Sequence, residues 1–251
     1  MIKLFRNIRK KLASENKTAA YSRYALGEIV LVVIGILIAL QINNWNEHKK
    51  ESKELNQYLY KIASNVKQDI QQIEVLKVRR DTVRARAIRS TNELLKQDFS
   101  NIENILQGGI VFVEFYFIPN KSGFEALKNS PFLGKINNTK VDSLLSVYYS
   151  RVDKTYNDEL SYNNFIESME SQISISIDKT PYFNLAKKRR DNENIDYNEF
   201  QDVLPYIQNN AYKSAMYRTL SERTYLVNYP RLMDIGNALI QEINQFCDIE
   251  H

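Results

Sequence analysis

Few side chains in this chain are placed to do chemistry, and the best-placed set points to association between helices rather than to catalysis. Glu28 stands inside the longest apolar stretch. Glu28, Gly35 and Ala39 fall at i, i+7 and i+11 on one helical face, with Asn43 near it. Gly35-x-x-x-Ala39 is a small-xxx-small pair, which lets two helix backbones approach closely in a membrane. A carboxylate at Glu28 either reaches headgroup water or faces a protein partner. Other candidates are sparse. The two histidines are His48 and the last residue, His251, and no HExxH, CxxC or His/Cys cluster accompanies them, so a zinc site is not indicated. The chain has no GxGxxG or GxxxxGK[ST] phosphate loop and no GxSxG elbow, and a Ser/His/Asp triad would have only those two histidines to draw on. Cys247 is the single cysteine, which excludes an intramolecular disulfide. No cofactor is expected.

The element that must position the Glu28 face is the stretch Tyr24 to Trp45. Its apolar core is unbroken from Ile29 to Leu40. From ring to ring it holds 22 residues, about 33 Å as a helix, close to a hydrocarbon core of about 30 Å. Tyr24 and Trp45 suit the two membrane interfaces, where amphipathic rings sit at headgroup level. A buried core helix and a cleaved signal peptide are the competing readings. The second has an unusually long n-region and no small-x-small site after the apolar run, so an uncleaved signal anchor is favoured. Residues 1–23 carry seven Lys and Arg against Glu15 alone, whereas the 20 residues after Trp45 carry Lys49, Lys50, Lys53 and Lys61. The positive-inside rule therefore places the N-terminus in the cytoplasm and the bulk of the chain across the membrane.

The residues GEIVLVVIGILIALQINNWNE, Gly27 to Glu47, resemble the signature of an uncharacterised family of bacterial membrane proteins common in Bacteroidota-type genomes, a domain of unknown function. The opening MIKLFRNIRKKLASEN and the later SGFEALKNSPFLGKINN, Ser122 to Asn138, are similar to that family as well. The resemblance implies a single-pass protein with an extracytoplasmic helical domain, and it implies no activity; the expected location is the bacterial inner membrane.

Composition adds bounds. The chain is net +4, but residues 1–23 alone are net +6, so the remainder is net −2 and a nucleic-acid surface is not indicated. The basic tail suits an anionic inner leaflet. Phe5, Ile8 and Leu12 predict a short amphipathic helix over Met1–Leu12. Seven Gly and five Pro in 251 residues favour long helices.

From Asn46 to about Lys96 there is no Gly or Pro, and Leu55, Leu59, Ile62, Val66, Ile73 and Leu76 recur every three or four residues. This predicts one long helix, continuous with the span. Arg80 and Asp69 interrupt strict heptads. The cationic run Lys77, Arg79, Arg80, Arg84, Arg86 and Arg89 reads as a solvated face. Ile110–Ile118, IVFVEFYFI, predicts a strand or buried extended segment, with Ile173, Ile175 and Ile177 of QISISID as its pairing partner. Ser122 with Glu125 predicts a capping box. Thr139 opens a second long helix ending near Ser171, Asp178–Asn198 reads as loop, and Pro230 should kink or break a helix running from Ala211 to Phe246.

The chain therefore reads as all-α. A cytoplasmic basic tail, 1–23, precedes a transmembrane helix, 24–45, and an extracytoplasmic bundle of long helices, 46–251, to which Ile110–Ile118 could add one short β ribbon. The expected function is a membrane-anchored structural or protein-interaction subunit without a catalytic site. Its partners would be membrane lipid and a protein or second copy, not nucleic acid. The rival reading is a sensory module that binds a small ligand in the bundle and signals through a partner. A membrane enzyme is the third, and it would need a cluster of convergent carboxylates.

Overall fold

A computed structural model describes residues 18–97 and 99–249, and the expected helix at Met1–Leu12 lies outside them. The chain divides into two compact units, Met1–Gln57 and Tyr58–His251. Nine α-helices are described: α1 (Thr18–Lys96), α2 (Ile102–Leu106), α3 (Ser122–Lys128), α4 (Lys140–Ser176), α5 (Thr180–Arg190), α6 (Tyr197–Gln201), α7 (Leu204–Ile207), α8 (Asn210–Ser221) and α9 (Thr224–Ile249). Short 3-10 turns cover Gln107–Phe112 and Leu133–Ile136. The described residues contain no strand.

In the first unit α1 carries the apolar run. Every residue from Ile29 to Leu40 is exposed, and among the described residues this is the one helix long and apolar enough to cross a membrane. As predicted, α1 continues without a break to Lys96.

In the second unit, the apolar stripe of α1 together with α4 and α9 forms the core, with Leu59, Ile62, Val66 and Ile73 of α1, Tyr148 and Val152 of α4 and Leu232 and Leu239 of α9 all buried. The axes converge at Gly236. A Cβ there would stand 3.0 Å from Val66, 3.1 Å from Ile70 and 3.2 Å from Tyr148, so α9 needs glycine to pass α1 and α4 at this distance. A second cluster, with Val83 and Ala87 of α1 against Ile166, Leu185, Phe200 and Tyr212, closes the far end. The Gly108-Gly109 pair serves that end. A Cβ on Gly109 would lie 1.7 Å from the Tyr182 hydroxyl, which donates to Leu106 O at 3.0 Å.

Five sequence expectations give way. The β ribbon is absent. Helical bonding in α4 runs on to Ser176, past Ser171, and takes Ile173 and Ile175 with it, leaving Ile173 buried and Ile175 89% exposed. Asp178–Asn198 holds helix α5. Pro181 sits in its first turn, where a missing N–H costs nothing, and Tyr182 and Leu185 are buried. That helix stops at a Schellman turn: Asn192 takes φ 55°, and Glu193 N–H donates to Lys188 O at 2.9 Å. Ser122 is the first residue of α3, not its cap. Its hydroxyl bonds Asn65 Oδ1 at 3.3 Å, so no capping box forms. The break between α8 and α9 falls at Glu222 and Arg223, where the extended Glu222 accepts from Thr224 N–H at 2.5 Å, while Pro230 is carried inside α9.

Replacing Gly236 with Leu should cost about 1–3 kcal/mol by overpacking the three-helix contact. Gly134→Ala, whose added methyl meets nothing within 4 Å, should be near neutral. Urea titration of the detergent-solubilised chain followed by circular dichroism measures both.

Candidate functional site

The most polar buried region of the second unit is built around the segment that sequence assigns to a strand. Val113 leaves the 3-10 turn in an extended conformation, and Val113–Lys121 runs without regular structure to α3. Such a chain needs partners for its N–H and C=O groups. No strand supplies them. Side chains of α1 and α4 do. Phe117 N–H donates to Glu159 Oε2 at 2.7 Å, Ile118 N–H to Gln72 Oε1 at 2.8 Å, Asn120 N–H to Asp69 Oδ1 at 2.8 Å and Gly123 N–H to Asn65 Oδ1 at 2.9 Å. Phe115 O accepts from both Arg80 Nη2 and Asn163 Nδ2 at 3.0 Å. Asn65, Asp69, Gln72 and Arg80 follow the helical period along α1, so one polar stripe does the work of a neighbouring strand.

Arg80 is the hub. It is 6% exposed and faces Glu159 of α4, 5% exposed, with Nη2 to Oε1 at 3.3 Å. Its Nε donates to the Tyr229 hydroxyl of α9 at 3.1 Å, and that hydroxyl donates in turn to Glu159 Oε1. The guanidinium carbon lies 5.5–5.8 Å from the ring centres of Phe115, Tyr162 and Tyr225, a cage that stabilises a desolvated cation. One charged side chain thus ties α1, α4, α9 and the extended segment together.

Around this cage the pattern of donors continues. Tyr162 shares a hydrogen with Thr219 at 2.8 Å, Tyr225 donates to Asp81 at 3.1 Å, and Asn228 donates to Asp158 at 2.8 Å. Burial pushes the phenols of Tyr162, Tyr225 and Tyr229 up from their ordinary range, so they remain donors at any physiological pH. Asp69 is also raised. Its burial outweighs the bonds from Asn120 N–H and the Tyr148 hydroxyl, which pull the other way.

Two adjoining clefts share Arg80, Tyr162, Glu222 and Tyr225, and the enclosed space in each is about that of one water. The arrangement is paired, satisfied charge, suited to holding elements in place. Among the described residues no group of three His, Cys, Asp or Glu side chains converges to hold a metal.

The face singled out in the sequence lies in the other unit. Glu28, Gly35, Ala39 and Asn43 are all on α1; Glu28 is half-buried, and Gly35, Ala39 and Asn43 are exposed. A Cβ at Gly35 would meet nothing within 4 Å. Trp45 is exposed beneath Lys49, whose Nζ lies 5.5 Å from the ring centre, and the Tyr24 side chain lies outside the described residues. The Arg80 hub was missed. Reading the cationic run as one solvated face fails at Arg80, and Arg84 turns inward to donate to Leu220 O at 3.1 Å. The available signal was the break that Arg80 and Asp69 make in the apolar stripe of α1.

A model of a family of unknown function, DUF6090, matches residues 28–209. The chain belongs to that family. No curated protein and no solved structure matches it. The DUF6090 match takes in Arg80, Glu159 and the whole extended segment, and stops short of Tyr229.

Two predictions follow from the hub. Arg80→Met and Glu159→Gln should each destabilise by about 3–5 kcal/mol, because each strands a buried charge. The double variant should cost less than their sum by at least about 0.5 kcal/mol, as measured by a double-mutant cycle in urea. Asp69 gives a pH test. A carboxyl with a raised folded-state pKa contributes stability that is complete below the ordinary carboxyl value and is lost as pH rises through the raised value. The melting temperature of wild type should therefore fall relative to Asp69→Asn as pH goes from about 4 to neutrality.

Proposed function

We propose that this chain is a membrane-anchored structural or protein-interaction subunit with no catalytic site of its own. The observation that carries the reading is the stretch Ile29–Leu40: an apolar helix of spanning length with no buried residue. In this reading α1 crosses the bacterial inner membrane once. Tyr24 and Trp45 lie at its interfaces, the basic N-terminus is cytoplasmic and the helical bundle lies on the opposite side. The Glu28, Gly35, Ala39 and Asn43 face is where the span meets a second helix, since glycine and alanine there leave room for close approach. Lipid and a protein partner are its contacts. A buried hub whose charges, Arg80 and Glu159, are paired with each other supports a scaffold over the rival reading of a ligand-sensing bundle.

A reporter fused after His251 should be active only outside the cytoplasm, and cytoplasmic activity would overturn the orientation. Replacing Gly35 and Ala39 together with Leu should weaken association of the span in a membrane two-hybrid assay. Unchanged association would leave the span as a plain anchor.

A further inference from the structure

The outward face of α1 in the second unit carries a pattern that the bundle does not use. Val75, Val78, Thr82 and Ala85 follow the three-four spacing of a coiled-coil seam, and all four are exposed, Val75 by 53% and Val78 by 66%. They lie on the side of α1 opposite the buried Ile73, Leu76, Arg80, Val83 and Ala87. In heptad terms Val75 and Thr82 occupy a and Val78 and Ala85 occupy d. The flanks are then fixed: Glu74 and Asp81 at g, Arg79 and Arg86 at e.

From this we infer that α1 pairs with α1 of a second copy of the chain, parallel and in register, through the face between Glu74 and Arg86. In a parallel two-stranded pair the g residue of one helix meets the next e residue of the other, and such charge pairs set partner and orientation. Here that brings Glu74 to the partner's Arg79 and Asp81 to the partner's Arg86, each pair formed twice by symmetry. Arg79 and Arg86 have no hydrogen bond or ion pair among the described residues, so both are available. Asp81 already accepts from Lys77 at 2.7 Å and from Tyr225, yet its carboxylate is 43% exposed and has lone pairs to spare.

An antiparallel pair would face e against e and g against g, arginine on arginine and carboxylate on carboxylate, so the charges select the parallel arrangement. The seam is short, bounded by Gln71 and Arg89. It associates because the helix is already formed and packed, so little ordering is lost on pairing. The inference concerns the folded unit and does not rest on the membrane reading.

The test uses the full chain in native membranes, with cysteine placed at Val78 and, as a control, at Ile175, an exposed apolar site on α4. Native Cys247 is buried and serves as the background. Mild oxidation should give a disulfide-linked dimer with Val78→Cys and not with Ile175→Cys. Adding Arg79→Glu should cut that dimer by about fivefold through like-charge contacts at both symmetric sites. Adding Glu74→Arg to that variant should restore it, which an unfolding effect of Arg79→Glu would not allow. The inference is overturned by equal linkage at both cysteines, by no dimer at Val78, by linkage to another protein, or by a dimer indifferent to the charge swap. Loss of the dimer in Gly35→Leu/Ala39→Leu with no response to Arg79→Glu would also overturn it, by assigning association to the apolar stretch.

Discussion

A main chain that leaves a helix and stays extended must find partners for its N–H and C=O groups, and in a helical bundle there is no sheet to provide them. The segment Val113–Lys121 meets this constraint by borrowing side chains. Asn65, Asp69 and Gln72 of α1 and Glu159 of α4 accept its N–H groups, and Arg80 with Asn163 supplies its carbonyl at Phe115. The cost is a row of polar residues on the inner side of a helix that must also carry the apolar core. Burying an arginine and a glutamate is tolerable only because each satisfies the other and both hold main chain. The aromatic cage and the Tyr229 relay follow from that single need.

The same constraint orders the rest of the second unit. With the segment laid along α1 and α4, α9 must approach both closely, which requires Gly236. The glycine pair at Gly108 and Gly109 then lets the 3-10 turn lie beneath Tyr182 and Tyr212 and deliver the chain to Val113. Asn65, Asp69, Gln72 and Arg80, which depart from an ideal amphipathic pattern in α1, each have a main-chain group to hold. The departures that face outward, Arg79 and Arg86, have none, and this difference is what marks the outer face as a candidate for a partner.

Much of the architecture was legible in the sequence. The three-four recurrence from Leu55 to Leu76, the lack of Gly and Pro, and the cap at Thr139, whose side chain accepts from Asp142 N–H, all read directly as helices. What misled was composition without context. IVFVEFYFI has the residues of a strand and does run extended from Val113, but its hydrogen bonds come from positions 35 to 46 residues upstream and 42 to 48 downstream, which no local pattern shows. QISIS alternates like a strand because only Ile173 faces the core at the end of α4. Asp178–Asn198 reads as a polar loop, although Tyr182 and Leu185, one helical turn apart, are enough to bury a face of α5. The Arg80 hub was visible only as an irregularity in a stripe, since its partner Glu159 is a lone acid in a polar helix until folding brings the two together.

Amide hydrogen exchange across residues 113–123 tests the central claim most directly. If side chains of α1 and α4 stand in for a sheet, the amides of Phe117, Ile118, Asn120 and Gly123 exchange slowly. Those of Glu114 and Tyr116, which have no hydrogen-bond acceptor among the described residues, exchange fast within the same short segment. Uniformly fast exchange through the segment, with Phe117 and Asn120 no slower than Glu114, would contradict the account.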